Sequence, residues 1–424
     1  MAAEQRKLED YYANRPIPLN KRKHWLHVAA IYFGLTASLS SFTTAGSYIT
    51  GLSLSQAIVS NITSYCVLAL VFFLPMGIIG AREGLNTYNI GEGAFGALGS
   101  KLTTALVVTI IPSIGWYGIQ VSIAADALSL GLGSPEALTP WIMIFLGILF
   151  AIPAMYGITS MAWLDFISIP IILFIVGFGL YKAIHIGGGM DGLFAYEPET
   201  AKSILWGINL SVGGMIIGTT FLPDYARWTH KKPSGIALSG FVGLSPELLL
   251  VIVGVIMALT ASTLGVDQPW NVAEVLHALG LPVVALFLVI ILQWTTNITA
   301  AYSSGLALEK IFGWSRFWWT FISAVLGTAL AMFGIIDHFI NFIMLLSIFV
   351  SPVAGVIMSD YFLVAKGKLI RKDLIYWPGI VSWIFGSVFA YFFPYFIEAI
   401  NGLIAGGVFY WLYHVITSKK KGEA

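Results

Sequence analysis

The sequence predicts an all-α integral membrane fold of twelve transmembrane helices, built as a 5+5 inverted repeat with broken helices 1 and 6. Three observations predict it. Of 424 residues, 58% are apolar and only 10% are charged, whereas soluble domains carry roughly 25% charged residues. The basic residues fall on alternate connections between apolar runs. Two runs five spans apart are rich in small and polar residues at mid-membrane.

A spanning helix needs about 20 predominantly apolar residues, so a chain of this length holds about a dozen spans and no sizeable soluble domain. Apolar runs between polar punctuation place the spans near 25–50, 54–80, 102–129, 138–160, 163–184, 203–223, 235–262, 281–303, 317–335, 338–364, 374–393 and 395–417. With both termini in the cytosol, the inside segments hold 20 of the 22 basic residues, and only Lys182 and Lys202 fall outside. A wrong or odd span count would scatter them, so the bias of Lys and Arg to the cytosolic side supports twelve spans.

The first span carries FGLTASLSSFTTAGS from Phe33 and the sixth carries LSVGGMIIGTTFLPD from Leu210. Small residues of this kind serve close helix packing or a break in the helix. Their positions favour breaks: spans n and n+5 enter the membrane from opposite sides, as two inverted five-helix units require. Irregular backbone is tolerated there because it lines a cavity. The chain then divides into a cytosolic tail, 1–24, a first repeat, 25–184, a second repeat, 203–364, two added spans, 374–417, and a cytosolic tail, 418–424.

The N-terminal segment is polar and lacks the apolar core and cleavage site of a signal peptide. A net charge of +1 gives no reason to expect a nucleic-acid partner; membrane lipid is the expected surrounding. The sole cysteine, Cys66, excludes an intramolecular disulfide and a multi-cysteine metal site. There is no GxxxxGK[ST], HExxH or GxSxG, and the seven histidines, His24, His27, His185, His230, His277, His338 and His414, are scattered. An enzyme is not expected, and neither is a transport ATPase.

In span 3, Ser113, Trp116 and Gln120 are three and four residues apart and share one helical face. An indole beside a carboxamide suits a flat heterocycle, stacking on its face and hydrogen-bonding in its plane. A packing Trp with Gln bonded to a neighbouring helix reads equally well from spacing alone. Span 8 concentrates oxygens at Thr295, Thr296 and Asn297, although threonines also bond back to their own helix. Buried acids mark proton relays: Asp126 and Asp165 stand close to span ends, and Glu247, deeper in span 7, is the possible proton site. Asp224 and Arg227 read as a local ion pair or gate at the end of span 6. No basic residue stands in the middle of any span, so the substrate is expected to be neutral.

Together GLT at Gly34 to Thr36, GWYGIQ at Gly115 to Gln120, PDYARW at Pro223 to Trp228, QWTTN at Gln293 to Asn297, YSSGLAL at Tyr302 to Leu308 and SPVAGVIMSDYF at Ser351 to Phe362 resemble the nucleobase:cation symporter family, nearest its cytosine permeases. The resemblance runs in order from the first span to the tenth. It implies the fold of the amino-acid:sodium symporters, no bound cofactor, and cation symport of a small neutral heterocycle with alternating access across the cell membrane. It matches Trp116 to the family's stacking residue, Gln120 to a glutamine of its hydantoin-type members, and Gly214 to a backbone contact in broken span 6, with Asn297 adjoining the substrate. Its sodium ligands match the carbonyls of Gly34, Ala37 and Leu292 and the hydroxyls of Thr295 and Thr296. Two positions depart from the pattern: Ser113 stands where cytosine permeases have glutamine, and Met215 replaces a second stacking aromatic. The substrate is therefore open among cytosine-like pyrimidines, purines, hydantoins and allantoin. Proton coupling through Glu247 is the alternative to sodium, and a solute channel is the rival of another class.

Overall fold

The computed structural model describes residues 12, 15–38, 40–156, 170, 173–174, 176–187, 189–280, 283–372 and 374–422. Among these the chain is helical, with one isolated bridge between Lys23 and Thr229. A helix satisfies its own backbone, which a bilayer demands. Span 1 is a bent pair, α1 (Trp25–Thr36) and α2 (Ser40–Ile49), whose axes meet at 54°. Span 2 is α3 (Leu54–Glu83), opened by a capping box in which Ser53 and Gln56 satisfy each other's backbone N–H. It closes on Gly84 in the left-handed region, φ 71°.

Helix α4 (Thr87–Ser100), kinked at Gly96 where φ is 78°, leads through a π-helical segment, Lys101–Ile110, into α5 (Ile111–Leu132), and α6 (Thr139–Tyr156) forms span 4. The expected span at 163–184 lies largely outside the described residues, together with Asp165; its described end is helical over 176–186. Span 6 is α7 (Ile204–Thr220), capped by Ser203. Span 7 divides into α8 (Pro233–Gly243) and α9 (Ser245–Thr263). Then follow α10 (Val283–Phe312), α11 (Arg316–Met332), α12 (Phe339–Met358), α13 (Trp377–Phe392) and α14 (Glu398–Gly422).

Seven of these continuous stretches are long and apolar enough to cross a membrane, and the bent pair α1–α2 makes eight. Helices α11 and α13, at 17 and 16 residues, are shorter than the roughly 20 of an upright crossing. Two boundaries differ from expectation. Helix α10 continues to Phe312, past 303. In span 6 the interruption falls at the end of the quoted stretch, at Phe221 and Leu222, while Gly213 and Gly214 stay helical. The division of span 7 has a local cause: Pro246 has no N–H for the Val242 carbonyl, and the Ser245 hydroxyl donates to it instead at 2.8 Å.

The apolar window of Ile204–Ala226 is 72% buried and that of Glu398–Ser418 only 28%, so span 6 lies inside the bundle and α14 on its lipid-facing outside. Helix α1 is bonded into this interior. Tyr32 Oη donates to the Gly218 carbonyl at 2.6 Å, Ser239 Oγ to Trp25 at 3.0 Å, and the Thr36 hydroxyl reaches Gly243 at 2.7 Å. Ahead of it, Lys23 N donates to Trp228 O at 2.7 Å and Ile17 N to Gly84 O at 3.0 Å, so residues 17–23 lie against the ends of α3 and of span 6.

The Asp224 carboxylate accepts from Thr87 N at 2.7 Å and Thr87 Oγ1 at 2.9 Å. Arg227 donates to the Asp224 and Tyr12 carbonyls, at 3.1 and 3.0 Å. On the same side, Asp360 accepts from Lys372 and Tyr410, each at 2.6 Å.

Candidate functional site

Five parts of the bundle line an open cavity with about 650 Å³ of space not filled by protein atoms, open solvent included. The bend of span 1 supplies Leu35, Thr36 and Ser38, and α5 supplies Ser113, Trp116 and Gln120. Span 6 contributes Gly214, Met215, Ile217, Gly218 and Phe221, α9 contributes Glu247, and α10 contributes Thr296, Thr299, Ala300 and Ser303. On α5 and α10 these positions recur at three and four residues, one helical face each.

The expected substrate residues Ser113, Trp116, Gln120, Gly214 and Met215 thus meet in one wall. The Trp116 ring is held edge-on by Phe339 and Phe342 of α12, at centroid separations of 5.9 and 6.0 Å. Gly115 permits that approach, since a Cβ there would lie 2.5 Å from the Phe342 ring. At Gly214 a Cβ would meet nothing within 4 Å, so bare backbone faces the cavity. Gln120 is 1% exposed, and neither atom of its amide has a hydrogen-bond partner. Asn297 is not in the cavity wall; it is 0% exposed, and its amide is likewise without partners. Leaving a buried polar group unpaired costs about 1–3 kcal/mol.

Of the expected sodium ligands only Thr296 lines the cavity. Thr295 and Thr296 both donate to the Leu292 carbonyl, at 2.8 and 3.4 Å, the back-bonding that mid-helix threonines favour. Gly34 lies in the last turn of α1 and Ala37 caps it, where carbonyls lose their helical partners. The hydroxyl lone pairs stay available to a cation, and the set is all oxygen, as a hard monovalent ion prefers. Among the described residues no group of three or more His, Cys, Asp or Glu side chains is placed to hold a metal ion.

Glu247 is the one charged side chain in the wall, and no Lys or Arg lines the cavity with it. It stands in the first turn of α9, where the helix dipole favours a carboxylate, and accepts from the Ser41 hydroxyl. It also borders a second, smaller cavity with Asn61, Ser64 and Ser211. Asp126 stays out of both cavities, near Glu274 and Asp337.

Sequence reading missed Phe221, Thr299 and Ser303. Helical spacing could have found each: Phe221 follows Gly214 by seven residues, and Thr299 and Ser303 follow Thr296 by three and seven. Phe221 supplies an aromatic side chain from span 6, six residues beyond the position where the resemblance left Met215.

Cytosine permease of Escherichia coli (strain K12) is 26% identical over 420 residues, covering 98% of this chain and 97% of its own length. Hydantoin permease of Microbacterium maritypicum is 26% identical over 405 residues, 86% of this chain and 79% of its own. The inward-facing structure of Mhp1 superimposes with a TM-score of 0.83 at 21% identity, over 96% of this chain and 94% of Mhp1. A closed structure of Mhp1 with bromovinylhydantoin bound, described as a nucleobase-cation-symport-1 family transporter, gives 0.79. The likeness to Mhp1 carries the fold, so the inverted-repeat architecture expected from the sequence stands. The sequence profile of permeases for cytosine/purines, uracil, thiamine and allantoin matches residues 16–412, nearly the whole chain and every wall of the cavity. This multi-pass membrane protein therefore belongs to the permease family for cytosine, purines, uracil, thiamine and allantoin.

Proposed function

We propose that this permease is a secondary active symporter that imports a neutral, planar heterocycle of the pyrimidine, purine, hydantoin or allantoin type, with sodium as coupling ion. The observation that carries the reading is the cavity wall itself: an indole and an unpartnered carboxamide face one space, with no basic side chain in it. Trp116 stacks on the ring, and Gln120 reads its polar edge. Ser113, Met215 and the backbone of Gly214 complete the contact, and Asn297 adds to it in the substrate-bound state. Gly34, Ala37, Leu292, Thr295 and Thr296 hold the ion, and alternating access opens this cavity to one side of the membrane and then the other. The side that carries 20 of the 22 basic residues faces the cytosol of a cell membrane, with both termini on it.

Proton coupling is favoured by one observation, the place of Glu247 in the same wall. Uptake into proteoliposomes under separate sodium and pH gradients decides between them. The expected outcome is saturable uptake that follows sodium, is lost in Thr295→Ala with Thr296→Ala, and survives Glu247→Gln. Uptake that ignores sodium, follows the pH gradient and is lost with Glu247→Gln overturns the sodium assignment. Flux that never saturates and never concentrates the solute identifies a channel.

A further inference from the structure

Helix α10 turns Thr296, Thr299, Ala300 and Ser303 to the cavity. At 100° per residue, Gln293 falls at the edge of that same stripe, one turn further along. Asn297 falls between the stripe and the face where Ile298 and Ala301 pack with Tyr117, Val121 and Ala124 of α5. On α5, Gln120 lies within the cavity face, between Ser113 and Trp116 in angle, beside this packed face. Gln293 is 0% exposed, as is Asn297, and no atom of the amides of Gln120, Gln293 or Asn297 has a hydrogen-bond partner. Three carboxamides with six unpartnered atoms thus lie in or beside the two helix faces that meet the cavity. A core with no use for them would hold leucine there, since an unpaired buried amide destabilises the fold and an apolar side chain of the same size does not.

We infer that Gln293 is a third recognition residue of this site, acting with Gln120 and Asn297, and that the three amides select a ring edge carrying N–H beside C=O, as in a lactam or cyclic ureide. A carboxamide offers donors and an acceptor in one plane, so it pairs with such an edge through two hydrogen bonds at once. The inference rests on the heterocycle-transport reading and narrows it: rings whose edge is blocked or lacks N–H are poor substrates.

The test uses the purified full-length protein with hydantoin and 1,3-dimethylhydantoin, and uracil and 1,3-dimethyluracil, as probes, and compares the parent with Gln293→Leu. The variant is expected to melt at the same or a higher temperature without ligand and to keep its sodium affinity. It should bind hydantoin or uracil at least tenfold more weakly, with the ratio between each ring and its methylated partner falling toward one. Unchanged affinity, or a loss equal for both members of each pair, overturns the role of Gln293. A lower melting temperature accompanying the loss marks a structural residue and overturns it as well. If the parent binds none of the four rings, nor xanthine or allantoin, the heterocycle reading fails first and the inference falls with it.

Discussion

Gly213 and Gly214 are neighbours in α7 with opposite surroundings. A Cβ on Gly213 would lie 2.4 Å from the Ile343 carbonyl oxygen of α12, whereas one on Gly214 would meet nothing within 4 Å. Gly213→Ala is therefore expected to destabilise the protein by about 1–3 kcal/mol, the usual effect of overpacking, seen as a lower melting temperature in detergent. Gly214→Ala should hold or raise that temperature, because alanine is the better helix former by about 1 kcal/mol, while its methyl narrows the cavity and weakens substrate binding. Trp116→Ala removes the ring surface and should weaken binding by about 1 kcal/mol, roughly fivefold in Kd, measured by calorimetry with the transported heterocycle. The Trp116–Gln120 pair was legible in the sequence because two unlike polar-edged residues one turn apart stand out in an apolar helix. Phe221 was not, since phenylalanine in an apolar run carries no mark of function. Gln293 was visible within QWTTN, but only its burial without partners separates it from an ordinary core amide.

At the scale of the element, glycine and serine content announced span 1 correctly and span 6 less so. Small residues both break helices and let them approach closely, and composition does not separate the two uses. In span 6, Gly213 serves approach to α12, and the interruption comes later, beside Pro223. The step in span 7 went unread although Pro246 was in view, because a proline in the first turn of a helix and one inside it look alike until the backbone is placed. Most span boundaries among the described residues were legible from hydropathy, the end of α10 excepted. The π-helical segments Leu68–Phe73, Lys101–Ile110 and Ser359–Val364 were not, since they share the composition of the helices around them. Thr36 ties the bend of span 1 to the step of span 7 through the Gly243 carbonyl. Thr36→Val keeps the shape and leaves that carbonyl unpaired, an expected cost of about 1 kcal/mol in denaturant- or heat-induced unfolding, with the helix content by circular dichroism unchanged.

Across the whole molecule, the bundle is fastened at one side by charged and phenolic groups. Asp360 is buried, and its carboxylate oxygen accepts hydrogen bonds from both Lys372 and Tyr410, tying the segment after α12 to α14. Lys372→Met leaves the carboxylate with Tyr410 alone and should cost about 3 kcal/mol, toward the lower end for a broken buried pair. Asp360→Asn with Lys372→Met should recover part of the lost melting temperature, since it removes the stranded charge. The membrane class and family were legible from composition and motif order because a bilayer constrains composition over the entire length of the chain. Which side chains share the cavity was legible only in part, since that depends on how five segments distant in sequence are brought together.

The bonds of α1 have one more consequence. Its twelve residues are fixed just ahead of their start, where Lys23 meets Trp228, along their length to Gly218 and Ser239, and at their end to Gly243. The half-helix is a strut: α1, the lower part of span 6 and α8 form one mechanical body, and any displacement of one of them that opens or shuts the cavity carries the other two with it.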